Sequence, residues 1–468
     1  MLVVGGGPAG AALARRLAHL GHAVVVAERC AFPRPHVGES LVGDVLPMLE
    51  VLGVRTAIEE AGFLRPESAI VRWAAAAERR PIAGEPGFQV DRGAFDHLLL
   101  AAAAQAGATV LQPARAISTE RAGDGRWHTR VRWNGAEMVV ESGFLADATG
   151  RRGVLGGAKR RVSPKTVALF AYWRQTPFDG PETRVDAGDD AWYWGAPLPG
   201  GEFNAAVFVD ASDYRQGLTR AGGREAFYDA LIARSELLRA CRRGRRIGPL
   251  HACDATSRCD DAPVTADAIK VGEAAFSIDP LSSQGVQAAL GSALHASAVI
   301  HTIVNRPDDA PLALRFYRAR QRESVELHRR AAARFYADAA STKPGAFWRA
   351  RAAAASLESH PEPREEPRLP EARTEIELAA GVRLDVVPTV REGFIEATEA
   401  VVRPGALPPI AFLDGMAVGP LVRMIEPGTT VERVLQLWSG RMPYRRAVAI
   451  LRALWDAGVV CRAAARYF

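Results

Sequence analysis

Apolar residues open the chain as an unbroken run, Leu2 to Val4, and then give way to glycine. Gly5, Gly7 and Gly10 separate that run from an alanine-rich stretch, Ala11 to Leu20, whose apolar positions recur at helical spacing. A second apolar run, Ala23 to Ala27, follows at once, so the first block predicts strand, glycine turn, helix and strand, a βαβ unit. Next the pattern predicts a helix over Phe95 to Ala106 and strands over Trp127 to Trp133 and Met138 to Val140. From Val167 to Val209 apolar and polar residues alternate between aromatics and Pro-Gly punctuation, which predicts a largely antiparallel sheet. Ala268 to Val271 reads as a buried strand leading through a glycine-containing loop into a long small-residue helix, Gly285 to Ile303. Pro311 to Leu357 is helical and rich in arginine. Pro361, Pro363, Pro367 and Pro370 among charged side chains mark a linker. Beyond it the pattern predicts short strands with turns over Val382 to Val402 and helices over Ala417 to Ile425, Val431 to Gly440 and Tyr444 to Ala457. A strand at Val459 to Arg462 closes the chain. No internal repeat is visible.

Composition bounds the reading. At 468 residues the chain exceeds one ordinary core, so two or three folding units are expected. A hydrophobic fraction of 48% with 24% charged residues is that of a globular enzyme. The net charge of +6 mildly favours an acidic partner or substrate and does not indicate nucleic acid. Nearly all basic residues are arginine, with lysine only at Lys159, Lys165, Lys270 and Lys343. The five cysteines are scattered and no secretory signal opens the chain, so a reducing cytoplasm is the expected setting. No apolar run reaches the length of a membrane span. His251, Cys253 and Cys259 lie close together, but their spacing matches no zinc pattern and no metal is expected.

Gly5, Gly7 and Gly10, with Pro8 and Ala9 between them, form G-x-G-x-x-G between a buried strand and a helix. Backbone N–H groups at such a helix N-terminus can receive a pyrophosphate without obstruction by a Cβ. Glu28 ends the second strand 18 residues beyond Gly10, where a carboxylate accepts hydrogen bonds from ribose hydroxyls. The motif alone does not choose between NAD and FAD.

Five collinear segments do choose: VVGGGPAGAALARRLAHLGHAVVVAER, FPRPHVGESL from Phe32, VDRGAFDHLL from Val90, ADATGR from Ala146 and VGEAAFSIDPLSSQGVQAAL from Val271. Through them the chain resembles the FAD-dependent p-hydroxybenzoate hydroxylase superfamily, and within it the flavin-dependent halogenase-like branch. The resemblance implies an α/β fold with a Rossmann-like FAD-binding domain (1–165 and 250–310) and an antiparallel-sheet substrate domain (166–249). A helical extension (311–357), a linker (358–373) and a small C-terminal winged-helix-like domain (374–468) follow. It implies FAD as cofactor, held by Gly5, Gly7, Pro8, Ala9, Gly10, Glu28, Arg29, Ser40, Arg92, Gly272, Glu273, Gly285, Val286 and Gln287. The family usually has Asp after the glycine of that last segment, and here it is Glu273, one methylene longer.

The implied chemistry is that of reduced flavin and oxygen, whose C4a-hydroperoxide carries an electrophilic distal oxygen, while the protein excludes water and presents an electron-rich ring. Hydroxylation follows directly; halogenation in this branch needs a lysine soon after the segment corresponding to Gly38-Glu39-Ser40. Here no lysine precedes Lys159, and Arg65 is the nearest cation. Trp192-Tyr193-Trp194-Gly195-Ala196-Pro197 nearly reproduces the branch's W-x-W-x-I-P signature, and Trp192 and Trp194 are candidate pocket residues that core packing would equally explain. Catalytic candidates are Glu39, Asp279, Pro280 and Gln284, the two carboxylates as acid–base groups. ADATGR lacks the superfamily's Asp-Gly pair, which brings in a separate flavin reductase as partner beside direct reduction by NAD(P)H, and both stay open. The tail resembles winged-helix modules that escort peptides to modifying enzymes. Together these features suit a subgroup that hydroxylates tryptophan in a peptide or small protein during tryptophylquinone biogenesis, alongside other maturation enzymes. Hydroxylation of a small or carrier-bound aromatic, halogenation and a non-catalytic flavin-binding role stay open.

Overall fold

A computed structural model describes residues 1–353, 369–403 and 409–463; the end of the helical extension (354–357) and most of the expected linker (358–368) lie outside them. The strand Leu2–Val4 (β1) is fully buried because both faces of its sheet are covered, which is why it reads as a continuous apolar run. It sits at the centre of a five-stranded parallel sheet, in the order Ala268–Lys270, Leu145–Asp147, β1, Val25–Ala27 (β2) and Thr109–Leu111. The helix between β1 and β2 is Pro8–His19 (α1), so Pro8, Ala9 and Gly10 are helical where the sequence pattern predicted a turn. Proline at the first helical position brings a preset φ and lacks the N–H that would go unpaired there.

The second sheet has seven strands, in the order Arg245–Asp254, Thr166–Arg174, Glu202–Asp210, Ala191–Leu198, Thr183–Ala187, Ser68–Arg72 and Glu78–Pro81. All neighbours are antiparallel except Thr183–Ala187 with Ser68–Arg72, so the sheet recruits strands from well before residue 166. The period of two sorts its side chains. Leu169, Trp173, Tyr193 and Phe203 face the helix Arg224–Arg234, while Phe170, Trp192 and Phe208 face Trp73, Tyr336, Phe347 and Trp348. Tyr336 comes from the helix Ala310–Thr342, and Phe347 and Trp348 from Ala346–Ala352. The single helical run expected over Pro311 to Leu357 is thus broken, at Lys343, which is extended (φ −125°) because the following Pro344 disfavours the helical conformation.

By internal contacts the chain forms two units, one of residues 1–310 and 317–353 and a second of 369–463 with the short stretch Pro311–Phe316. In the second, Glu375–Leu378 pairs with Thr429–Thr430 and Val460–Arg462, and the helices Val431–Ser439 and Tyr444–Asp456 bury Val434, Trp438, Ile450 and Leu454. The expected short strands are one hairpin of two nine-residue strands, Arg383–Arg391 and Phe394–Val402. It turns on Glu392 (φ 50°) and Gly393 (φ 84°), the positive pair that a two-residue hairpin turn requires. Pro388 interrupts the apolar pattern yet stays in the strand, which pairs on one side only and so spares the missing donor. The helix expected over Ala417 to Ile425 is shorter, Val418–Val422.

Candidate active site

At the C-terminal end of β1 the chain turns through Gly5 (φ 104°), and a Cβ at Gly10 would collide with the Gly5 carbonyl oxygen and lie 3.0 Å from the Ala148 Cβ. Helix and sheet therefore approach closely only because Gly10 has no side chain. Gly7, the N-cap of α1, makes no side-chain cap, and no acidic residue stands in the helix's first turn, so its N–H groups offer an anion site. Glu28 is buried and accepts from the Gly6 N–H (2.6 Å) and the Cys30 N–H (2.9 Å), which leaves each oxygen a further lone pair. Arg29 beside it is exposed.

Arg92 opens the helix Arg92–Gln105, buried with Asp96 one turn on; Nε and Nη2 donate to the Asp96 carboxylate at 3.0 and 3.1 Å. Its Nη1 donates to the carbonyls of Val37 (2.8 Å) and Gly38 (3.2 Å), and Arg34 binds Asp96 as well at 3.1 Å. The turn before Glu39 is thereby tied to this helix. Ser40 follows in a two-residue strand paired with Phe88–Gln89 and accepts from Gln89 at 3.3 Å.

The segment after Lys270 returns to the glycine turn. Gly272 donates its N–H to Ser292 (3.1 Å) and packs where a Cβ would lie 2.8 Å from that of Ala9, so the first and last motifs meet in space. Glu273 accepts from Nε of Arg151 of ADATGR at 3.1 Å and forms an ion pair with its Nη2 at the same distance, a partner that no local pattern announces. Pro280 begins a single helical turn that Asp279 caps through the Leu281 N–H (3.1 Å), Ser283 takes positive φ (52°), and Gln284 is the N-cap of the helix Gly285–Asn305. That helix also lacks a side-chain cap, and a Cβ at Gly285 would meet nothing within 4 Å. Val286 is buried, and the Gln287 Oε1 is buried with no hydrogen-bond partner. Two uncapped helix N-termini, a glycine cradle, a carboxylate with spare lone pairs and an acceptor awaiting a donor fit a cofactor bearing a pyrophosphate, a ribose and a ring N–H.

Glu39 is buried and anchors a node between the turn and the second sheet. Its Oε1 accepts from the Tyr172 hydroxyl (2.7 Å) and Asn204 Nδ2 (3.1 Å), and its Oε2 from the Gly38 N–H (2.8 Å). Burial pushes its pKa upward, and these donors partly oppose the shift. Trp192 is fully buried, stacked on Phe208 at 3.7 Å and edge-on to Trp73 at 6.5 Å, and Trp194 joins the margin of the same cluster. Asp279 accepts from the hydroxyl of the buried Tyr336 with both oxygens at 3.1 Å, and burial raises its pKa too. Asp279 and Tyr336 line a cavity of about 840 Å³, whose wall includes neither tryptophan. The sequence thus missed Tyr172, Asn204 and Tyr336; the one available signal was a polar residue inside a predicted strand or apolar helix face. Among the described residues no three His, Cys, Asp or Glu side chains gather to hold a metal, and no helix is long and apolar enough to cross a membrane.

Residues 72–366 match the tryptophan halogenase family. A tryptophan 2-halogenase from Chondromyces crocatus is 29% identical over 337 residues, 68% of this chain, and the chain spans 64% of that relative's length. The solved structure of CmlS, a flavin-dependent halogenase, superposes with a TM-score of 0.80 at 25% identity, covering 98% of this chain and 95% of its own. That of QhpG, a peptidyl tryptophan dihydroxylase essential for tryptophylquinone cofactor biogenesis, gives 0.73 at 26% identity and covers 98% of both chains.

Proposed function

The chain belongs to the tryptophan halogenase family and takes FAD as its cofactor, and from there we propose that it is a monooxygenase that hydroxylates the indole of a tryptophan held within a polypeptide. One observation carries this reading: the first 158 residues contain no lysine, where halogenation in this branch requires one. Arg65 does not replace it. Its guanidinium turns to Glu59 and Glu85 at the surface and lies over the Phe88 ring, and arginine stays protonated. The lysines further along are engaged: Lys159 donates to the carbonyls of Arg151 and Glu273, Lys270 to that of Gly156 and to Asp260, and Lys343 to that of Trp73. The likeness to QhpG over nearly the whole chain supports a polypeptide substrate.

In this reading Gly5, Gly7, Pro8, Ala9 and Gly10 receive the pyrophosphate at the start of α1, and Glu28 the ribose. Ser40, Arg92, Gly272 and Glu273 frame the middle of the cofactor, and Gly285, Val286 and Gln287 meet the ring. Reduced FAD and oxygen supply an electrophilic oxygen atom. Glu39 holds Tyr172 and Asn204 in place, and Pro280 and Gln284 shape the loop beside the ring. Asp279 takes the proton that the substituted ring carbon releases, onto an oxygen that Tyr336 orients. A separate flavin reductase supplies the reducing equivalents.

A halogenase is the second reading, favoured by the CmlS likeness and by Trp192 and Trp194. One assay decides: holoenzyme, reduced FAD, oxygen and tryptophan peptides in chloride or bromide, followed by mass spectrometry. Addition of oxygen alone is expected, and a halogen isotope pattern would overturn the proposal.

A further inference from the structure

We propose that the cavity beside Asp279 is a carboxylate-binding site for acidic side chains of the substrate polypeptide, with Arg351 as its buried anchor; this rests on the polypeptide reading above. The cavity's volume, about 840 Å³, is far more than an inorganic anion needs. It lies within the range of roughly 300–1,000 Å³ in which pockets enclose organic ligands.

Its charge is one-sided. Arg160, Arg161, Arg322, Arg329 and Arg351 line it against Asp279 and Glu326. Glu326 is already engaged, accepting from Arg329 and Arg330 on its own helix at 2.6 Å each. Arg160 has only a loose pair with Asp261 at 3.5 Å, both exposed. The side chains of Arg161 and Arg322 are exposed and make no hydrogen bond or ion pair among the described residues. A concave surface with this surplus attracts carboxylates from a distance and holds them by forked donors.

Arg351 adds an independent observation. Its side chain is 2% exposed. Nη1 donates to the Phe347 carbonyl (3.1 Å), Nη2 to Thr166 Oγ1 (2.8 Å), and the guanidinium lies 3.8 Å over the Phe347 ring. The nearest carboxylate, Asp210, stands 3.6 Å from Nη2. Nε is buried with no acceptor. The guanidinium, though paired with Asp210, thus keeps one donor unsatisfied beside the cavity, and a carboxylate entering there satisfies it once the side chain shifts toward it. Tyr336 belongs both to this wall and to the aromatic cluster with Trp192, so an anchored acidic segment lies against the residues assigned to chemistry.

The test uses the full-length FAD-loaded protein and fluorescein-labelled oligoglutamate, with oligoglutamine of equal length as control, read by anisotropy across salt concentration. Oligoglutamate should bind and weaken with salt, and Arg161→Glu and Arg322→Glu should each lower affinity by about tenfold with unchanged flavin absorbance and melting. Arg351→Lys, which keeps the charge and loses Nε, should weaken binding as well; because Arg351 also braces Thr166, the two rim variants decide the outcome if it misfolds. Equal binding of the two peptides, wild-type affinity in both rim variants, or displacement by equimolar sulfate would each overturn the proposal. The readout needs no turnover, so binding as expected with a halogenated product would sink the hydroxylase reading and support the site.

Discussion

Gly7 and Gly10 stand three residues apart, and substitution to alanine should separate two jobs that the glycine motif performs. At Gly10 the added methyl meets the Gly5 carbonyl oxygen head on and lies 3.0 Å from the Ala148 Cβ. Non-bonded heavy atoms settle at about 3.5–4.0 Å, and the methyl would stand far inside that separation from the oxygen, so α1 must retreat from the turn by roughly 1 Å or more. Forcing an extra methyl into packed structure costs about 1–3 kcal/mol. The apoprotein of Gly10→Ala should therefore melt lower, by about 2–4 °C for each kcal/mol lost. At Gly7 the nearest atom to a new methyl is Arg34 Nη2 at 3.6 Å, an ordinary contact, and φ is −67°. Alanine is a poorer N-cap than glycine but reduces the freedom of the unfolded chain, two opposing effects each of up to about 1 kcal/mol. Gly7→Ala apoprotein should consequently melt close to wild type. Its methyl instead stands at the uncapped helix N-terminus proposed to receive the pyrophosphate, so FAD affinity should fall about tenfold or more, equivalent to about 1.4 kcal/mol. Scanning fluorimetry of the apoproteins and titration with FAD, followed by quenching of flavin fluorescence, read the two effects separately. Wild-type FAD affinity in Gly7→Ala, or a wild-type melt in Gly10→Ala, would refute the reasoning.

Asp279, its pKa raised by burial, contributes stability that is fully present below the ordinary aspartate value of about 3.9 and declines as pH rises through the raised value. Asp279→Asn should flatten that decline, and urea unfolding at a series of pH values gives the answer; an unchanged pH slope would contradict the shift. Lys270→Met strands the buried Asp260, now paired at 2.5 Å, and should cost about 3–5 kcal/mol in a denaturant melt. A loss below about 1 kcal/mol would show that water reaches the pair.

What the sequence disclosed was what short-range chemistry encodes. The βαβ unit was legible because glycine spacing, a bounded apolar run and Glu28 all act within one loop, although the turn reaches less far than expected because Pro8 already starts the helix. The shared face of Trp192 and Trp194 was legible from the two-residue period, but not that Phe208 and Trp73 would cover the first of them. The Glu39 node was hidden for a physical reason. Tyr172 and Asn204 lie 133 and 165 positions away, and Tyr336 lies 57 from Asp279, distances at which no periodicity links residues. The arginines of the long helix show the intermediate case: Glu323 three residues after Arg320 and Glu326 three and four before Arg329 and Arg330 announce local pairs, whereas Arg322 facing a cavity is a tertiary fact.

One carboxylate, Asp96, secures two arginines, and one of these, Arg92, grips consecutive carbonyls of the turn at Val37 and Gly38. A turn fixed in this manner meets its ordering cost while the chain folds. A molecule docking against it finds a finished surface, so association should proceed as a near-rigid encounter, with little of the entropic loss that loop closure would add. The same arrangement sets a vulnerability: neutralising a single buried side chain would release both guanidinium groups at once and convert a rigid receptor into one that must be assembled anew at every binding event.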